Sequence, residues 1–220
     1  MTDYLKEFLI ENKVLLASIG TSNPKCQKLF DNWAEYNKFP PCMRGNREDF
    51  DLLSMLLATG ISLDAILSNM DVIPATMFSY ISGNLDLSNC RFNEIGPAAF
   101  KSILHSNCLR EIILPKTLEI IGDYAFENCN ELGKIEFNEG LKKIHSGAFR
   151  YCKYLTKIYL PDSLEEIEPN AFCFCDNLYK VSIPKRFEDQ LTDIFYDKIK
   201  GSFNKGYTPI LTGKIDFELR

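Results

Sequence analysis

The chain is poor in the residues that most catalytic and nucleic-acid-binding proteins rely on. Of its 220 residues two are histidine and one is tryptophan, and 25 bases face 30 acids. A net charge of −5 leaves no footprint for unspecific binding to nucleic acid or to an anionic membrane. Neither His105 nor His145 has a Ser or Cys nucleophile and an orienting acid beside it in the manner of a triad, and no glycine-rich phosphate loop occurs. No enzyme activity and no cofactor are therefore expected. No apolar run approaches the ~20 residues that a membrane helix needs. Residues 1–7 carry Asp3 and Glu7 where an export signal would carry bases, and the apolar residues that follow are too interrupted for its core. These absences predict a soluble, cytoplasmic protein. The hydrophobic share of 45% argues for an ordered fold.

What is present is a repeat. Ala125-Phe126, Ala148-Phe149 and Ala171-Phe172 recur at a step of 23 residues, as do Cys129, Cys152 and Cys175. The ends of three short apolar runs, Ile135–Phe137, Ile158–Leu160 and Val181–Ile183, keep the same step. A period of this size marks a stacked architecture in which each unit buries its apolar face against its neighbours. In the unit from Leu132, alternation of Leu132, Ile135 and Phe137 predicts a short strand. Leu141 and Ile144 predict a second, and Ala148-Phe149 a plug between the two. Pro115, Pro161 and Pro184 stop the ladder after a strand, since proline has no amide to donate. Two less regular units lie upstream, over Leu109–Phe126 and Leu85–Phe100.

The segment from Leu118, with Ile121-Gly122, then Ala125-Phe126, then Cys129, then Leu132-x-x-Ile135, resembles the BspA-like leucine-rich repeat family over about residues 85–184. The resemblance implies a right-handed solenoid with one parallel sheet per face and a role in binding proteins, often at cell surfaces. It brings no catalytic residues.

Eight cysteines raise the question of disulfides. Cysteines 23 apart would sit on adjacent rungs, ~4.8 Å from one another by strand spacing, where a bridge is geometrically conceivable. The expected reducing compartment instead favours columns of reduced, small, buried hydrophobes. Cys173 and Cys175 have no histidine at ligand spacing, so no metal site is expected there.

The fold class expected is α+β: a leucine-rich-repeat solenoid over 81–184, a helical domain over 1–80 and a helix/strand cap over 185–220. Leu5, Phe8, Leu9, Leu15, Leu16 and Ile19 have helical spacing, as do Leu29, Phe30, Trp33 and Tyr36. Residues 60–83 resemble a helix-turn-helix whose second helix, about 74–81, would enter a DNA groove. That helix carries no Lys or Arg. Residues 1–80 hold seven bases and ten acids, net −3 (7 − 10), a poor match to phosphate. In the tail, Phe187, Leu191, Ile194, Phe195 and Ile199 predict a helix over 185–200, followed by strands at 207–211 and 214–219.

Strand geometry nominates a binding face. Residues between the apolar positions point out of the sheet: Arg110, Glu111 and Ile113; Lys134 and Glu136; Thr156, Lys157 and Tyr159; Tyr179, Lys180 and Ser182. Lys134, Lys157 and Lys180 share the 23-residue step and form a basic ladder, while Tyr159 and Tyr179 supply aromatic anchors. This predicts a monomeric adaptor or inhibitor that occludes a protein partner with an acidic surface. A DNA-binding regulator and a surface adhesin are the alternatives. On another side, Glu119/Lys142/Glu165 and Lys143/Glu166 alternate in sign, predicting ion pairs between rungs rather than a site.

Overall fold

The computed structural model describes residues 67, 70–73, 75, 77–78, 82–102, 108–195 and 215–220. The chain divides into two units, Met1–Asn69 and Met70–Arg220. The helices expected before residue 60 and the strand expected at 207–211 lie outside the described residues. Among those described, no helix is long and apolar enough to cross a membrane.

Five successive turns of the second unit each contribute a two-residue strand to one sheet. These are β1 (Val72–Ile73), β3 (Glu94–Ile95), β5 (Ile120–Ile121), β7 (Lys143–Ile144) and β9 (Glu166–Ile167), paired in parallel in that order. Their register places Ile73, Ile95, Ile121, Ile144 and Ile167 in one column, all buried. Isoleucine suits the position because its branched side chain packs well on a pleated surface.

The other face holds longer strands: β2 (Ser82–Asp86), β4 (Cys108–Ile113), β6 (Lys134–Glu136), β8 (Lys157–Tyr159), β10 (Lys180–Ile183) and β11 (Asp216–Leu219). Parallel pairing runs β2-β4-β6 and β8-β10-β11, with no ladder between β6 and β8. The single sheet implied for this face is thus two three-stranded sheets. β6 and β8 show the predicted alternation, with Ile135 and Ile158 inward between exposed neighbours.

Between the two faces runs a spine of rings. Phe78, Phe100, Phe126, Phe149, Phe172 and Phe195 stack in succession, with centroids 4.7, 4.7, 5.0, 5.0 and 5.4 Å apart. That spacing is close to one rung. Phe137 meets Phe149 edge-on at 5.7 Å. Among the described residues, Cys90, Cys129, Cys152, Cys173 and Cys175 are free thiols. They do more than fill space. The Cys129, Cys152 and Cys175 thiols donate to the Phe100, Phe126 and Phe149 carbonyls of the preceding rung at 3.2, 3.3 and 3.2 Å. The Phe126 carbonyl also accepts the Cys129 amide at 3.1 Å, so both of its lone pairs are used. Burial pushes all three thiols well above their usual range, which keeps them un-ionised and inert.

The repeat extends beyond its expected limits at both ends. Val72–Ile73 already pairs with β3, so the solenoid begins near Met70 rather than at 81. Within the expected second helix of the helix-turn-helix, the described residues Ala75, Met77 and Phe78 lie in turns, and Phe78 opens the ring spine. At the other end, of the helix expected over 185–200 the described residues 185–195 form a 3-10 helix, Lys185–Gln190, that runs into the helical α1, Leu191–Phe195. These residues form another turn of the repeat. The Phe172 amide donates to the Ile194 carbonyl, just as the Phe149 amide donates to Ala171. Ile194-Phe195 therefore occupies the Ala-Phe position one step of 23 past Ala171-Phe172. The isoleucine in place of alanine hid it in the sequence. β11 lies within the strand expected at 214–219 and adds in parallel beside β10.

Candidate functional site

The nominated residues divide between the two sheets of the longer-strand face. Arg110, Glu111, Lys134 and Glu136 belong to β4 and β6, where Glu111 registers against Lys134. Lys157, Tyr159, Tyr179, Lys180 and Ser182 belong to β8 and β10 or their edges, with Lys157 against Lys180 and Tyr159 against Ser182. Arg110, Lys134, Glu136, Lys157, Tyr159 and Tyr179 are exposed, and Glu111 and Lys180 are half-buried. Ser182 is a correction: it is only 3% exposed. It registers between Tyr159 on β8 and Glu218 on β11, and its short side chain is covered among larger ones. It offers nothing to a partner.

The basic ladder is also different from the one expected. Lys134 Nζ sits 2.6 Å from Glu111 Oε1 and 3.3 Å from Glu136 Oε1, and its hydrogen bonds to Glu111 and Glu136 hold its pKa above the usual lysine range. Lys180 faces Glu218 at 3.8 Å. Lys157 alone of the three has no carboxylate partner among the described residues. Its ammonium lies 5.5 Å from the centroid of the Tyr179 ring, and the hydrogen bond to Tyr179 raises its pKa. So Lys134 and Lys180 are neutralised, and the unpaired charge of the ladder sits among tyrosines. Tyr159 and Tyr179 are 55% and 48% exposed. Tyr154, which sequence reasoning missed, is 58% exposed; it precedes the buried Leu155 in a turn, with no periodic position to single it out.

The alternating charges on the opposite side pair as expected. Lys142 meets Glu119 at 2.8 Å and Lys143 meets Glu166 at 2.9 Å. Lys143 lowers the Glu166 carboxyl below its usual range.

A second group was not visible in the sequence. Asp123, His145 and Glu168 follow β5, β7 and β9 on successive turns, and one ligand atom from each lies within 4.8 Å of the others. His145 Nδ1 is 2.8 Å from Glu168 Oε1, and the Ser146 amide donates to Glu168 Oε2 at 3.0 Å. His145 and Glu168 are one step of 23 apart, but Asp123 sits one column over, so a search for a fixed spacing passes it by.

The architecture defines a parallel β-solenoid of short strands, the class to which leucine-rich repeats belong. The BspA type leucine rich repeat model matches residues 93–204 in six copies, half of the chain, and the chain belongs to that family. Among solved structures it is similar to a leucine-rich repeat protein from Bacteroides ovatus, at 28% identity and a TM-score of 0.45 over 51% of this chain and 28% of that one. It is similar to a leucine rich cell surface protein from Faecalibacterium prausnitzii, at 24% identity and a TM-score of 0.43 over 54% and 32%. It is also similar to a leucine-rich repeat protein of T. pallidum, at 27% identity and a TM-score of 0.35 over 51% and 57%. The chain thus spans about a third of the first two and little over half of the third. No curated protein matches it.

Proposed function

We propose that this chain is a non-enzymatic protein-binding repeat protein that acts as an adaptor or inhibitor by covering a partner's surface with its longer-strand face. The observation that carries the reading is the cluster on β8 and β10. There, exposed Tyr159 and Tyr179 flank Lys157, the lysine of the ladder without a carboxylate. Tyrosines supply large contact area at little entropic cost and are enriched among the residues that dominate binding energy. A lysine held over an aromatic ring is placed to meet an acidic group. Glu111, Lys134 and Glu136 are engaged with one another, and they fit a polar rim better than an anchor.

The test is capture from the native source with nuclease treatment, comparing wild type with Tyr159→Ala, Tyr179→Ala and Lys157→Glu. One dominant protein partner is expected to survive nuclease. Each tyrosine truncation should cost about 2 kcal/mol, a roughly 30-fold loss of affinity, with unchanged circular dichroism. Equal capture by all variants would remove this face. Recovery of nucleic acid alone, lost at moderate salt, would replace the reading with a DNA-binding one.

A further inference from the structure

We propose that Asp123, His145 and Glu168 form a binding site for a borderline divalent cation of the zinc class, held by one imidazole nitrogen and two carboxylate oxygens. The donor set fits such an ion, which takes histidine nitrogen and Asp or Glu oxygen, and two carboxylates neutralise its charge. The ligand atoms lie within 4.8 Å of one another. Ligands of a four-coordinate zinc with bonds of ~2.0–2.1 Å stand about 3.3 Å apart, so a small side-chain rotation closes the group.

Three further observations make this more than a meeting of charges. Glu168 is oriented: its Oε2 is tied to the Ser146 amide, leaving Oε1 to face His145, the kind of outer contact that fixes a metal ligand. His145 is rigid at its base, its amide donating to the Ile121 carbonyl at 2.9 Å. The Asp123 carboxylate has no hydrogen-bond or ion-pair partner among the described residues. With the ion on Nδ1, the imidazole would carry its proton on Nε2, and water would fill the open coordination positions.

The test uses the full chain with Zn²⁺ and Co²⁺ alone. Calorimetry should show one Zn²⁺ bound, with affinity at least about tenfold lower in His145→Ala and in Asp123→Ala. The Asp123 variant loses no hydrogen bond or ion pair among the described residues, so unchanged circular dichroism is expected of it. The Co²⁺ complex should lack the sulfur-to-metal charge-transfer band that cysteine ligation would produce. Failure of the wild type to take up Zn²⁺, wild-type affinity retained by either variant, or a charge-transfer band accompanying the bound equivalent would each overturn the site.

Discussion

Gly147 has φ +61°, in the left-handed region that glycine enters without steric cost. Its column in the other turns holds Ala98, Tyr124 and Asn170, with φ of 54°, 54° and 64°, so the backbone alone does not demand glycine. The Tyr124 ring does. A Cβ at 147 would lie 2.5 Å from Tyr124 Cε1 and 2.6 Å from its Cδ1. Gly147→Ala is expected to destabilise by about 1–3 kcal/mol. Part of that should be recovered in the Tyr124→Ala background, where the double-mutant cycle gives a coupling term. Chemical denaturation of the four proteins measures it. None of this was legible in the sequence, because a glycine within a repeat gives no hint of which ring lies over it. The cysteine columns were half legible. Their period fixed them in the core, but the bond from each thiol to a phenylalanine carbonyl depends on where the preceding rung places that oxygen.

At the scale of elements, the ring spine decides which position is most sensitive. Phe149 stacks between Phe126 and Phe172, both at 5.0 Å, and receives the edge of Phe137. Truncation to alanine removes a fully buried side chain and three ring contacts. Phe149→Ala is expected to cost about 3–5 kcal/mol, and Phe149→Leu less, since leucine fills more of the space. Equilibrium unfolding in urea gives both values.

The strands were legible because a two-fold alternation within a 23-residue step is read directly: Ile135, Ile144 and Ile158 are where the pattern put them. In the tail, Phe187, Leu191, Ile194 and Phe195 fit a helical period, and the described part is helical, but its place in the repeat was missed. They are buried or half-buried as a further turn of the solenoid, which helical spacing over so short a stretch does not reveal. On the candidate face, alternation correctly sent Lys157 and Tyr159 outward. It could not see that glutamates on neighbouring strands engage Lys134 and Lys180, because ion pairing depends on register, which alternation leaves open.

For the molecule as a whole, the step of 23 makes entire turns interchangeable. Removal of residues 132–154 joins Glu131 to Leu155, which opens the next turn in the same register. Phe126 would then stack on Phe172, and the isoleucine column would pass from Ile121 to Ile167. The deletion variant is expected to fold with a cooperative transition, with reduced stability and a smaller denaturant dependence, because repeat arrays add nearest-neighbour terms. A deletion of half that length would put ring against strand and is expected to give no cooperative transition by circular dichroism.

One turn of this coil also holds far more chain than it shows. Fully extended, 23 residues span roughly 76–83 Å, yet a rung advances the stack by only about 4.8 Å. Under tension from its ends, the array is therefore a reservoir of contour length. Each rung that detaches releases on the order of 70 Å, and the turns from Phe126 to Phe195, which keep the step of 23, give releases of the same size. A contact made by this chain could thus yield in equal increments while the rungs still in place keep their hold.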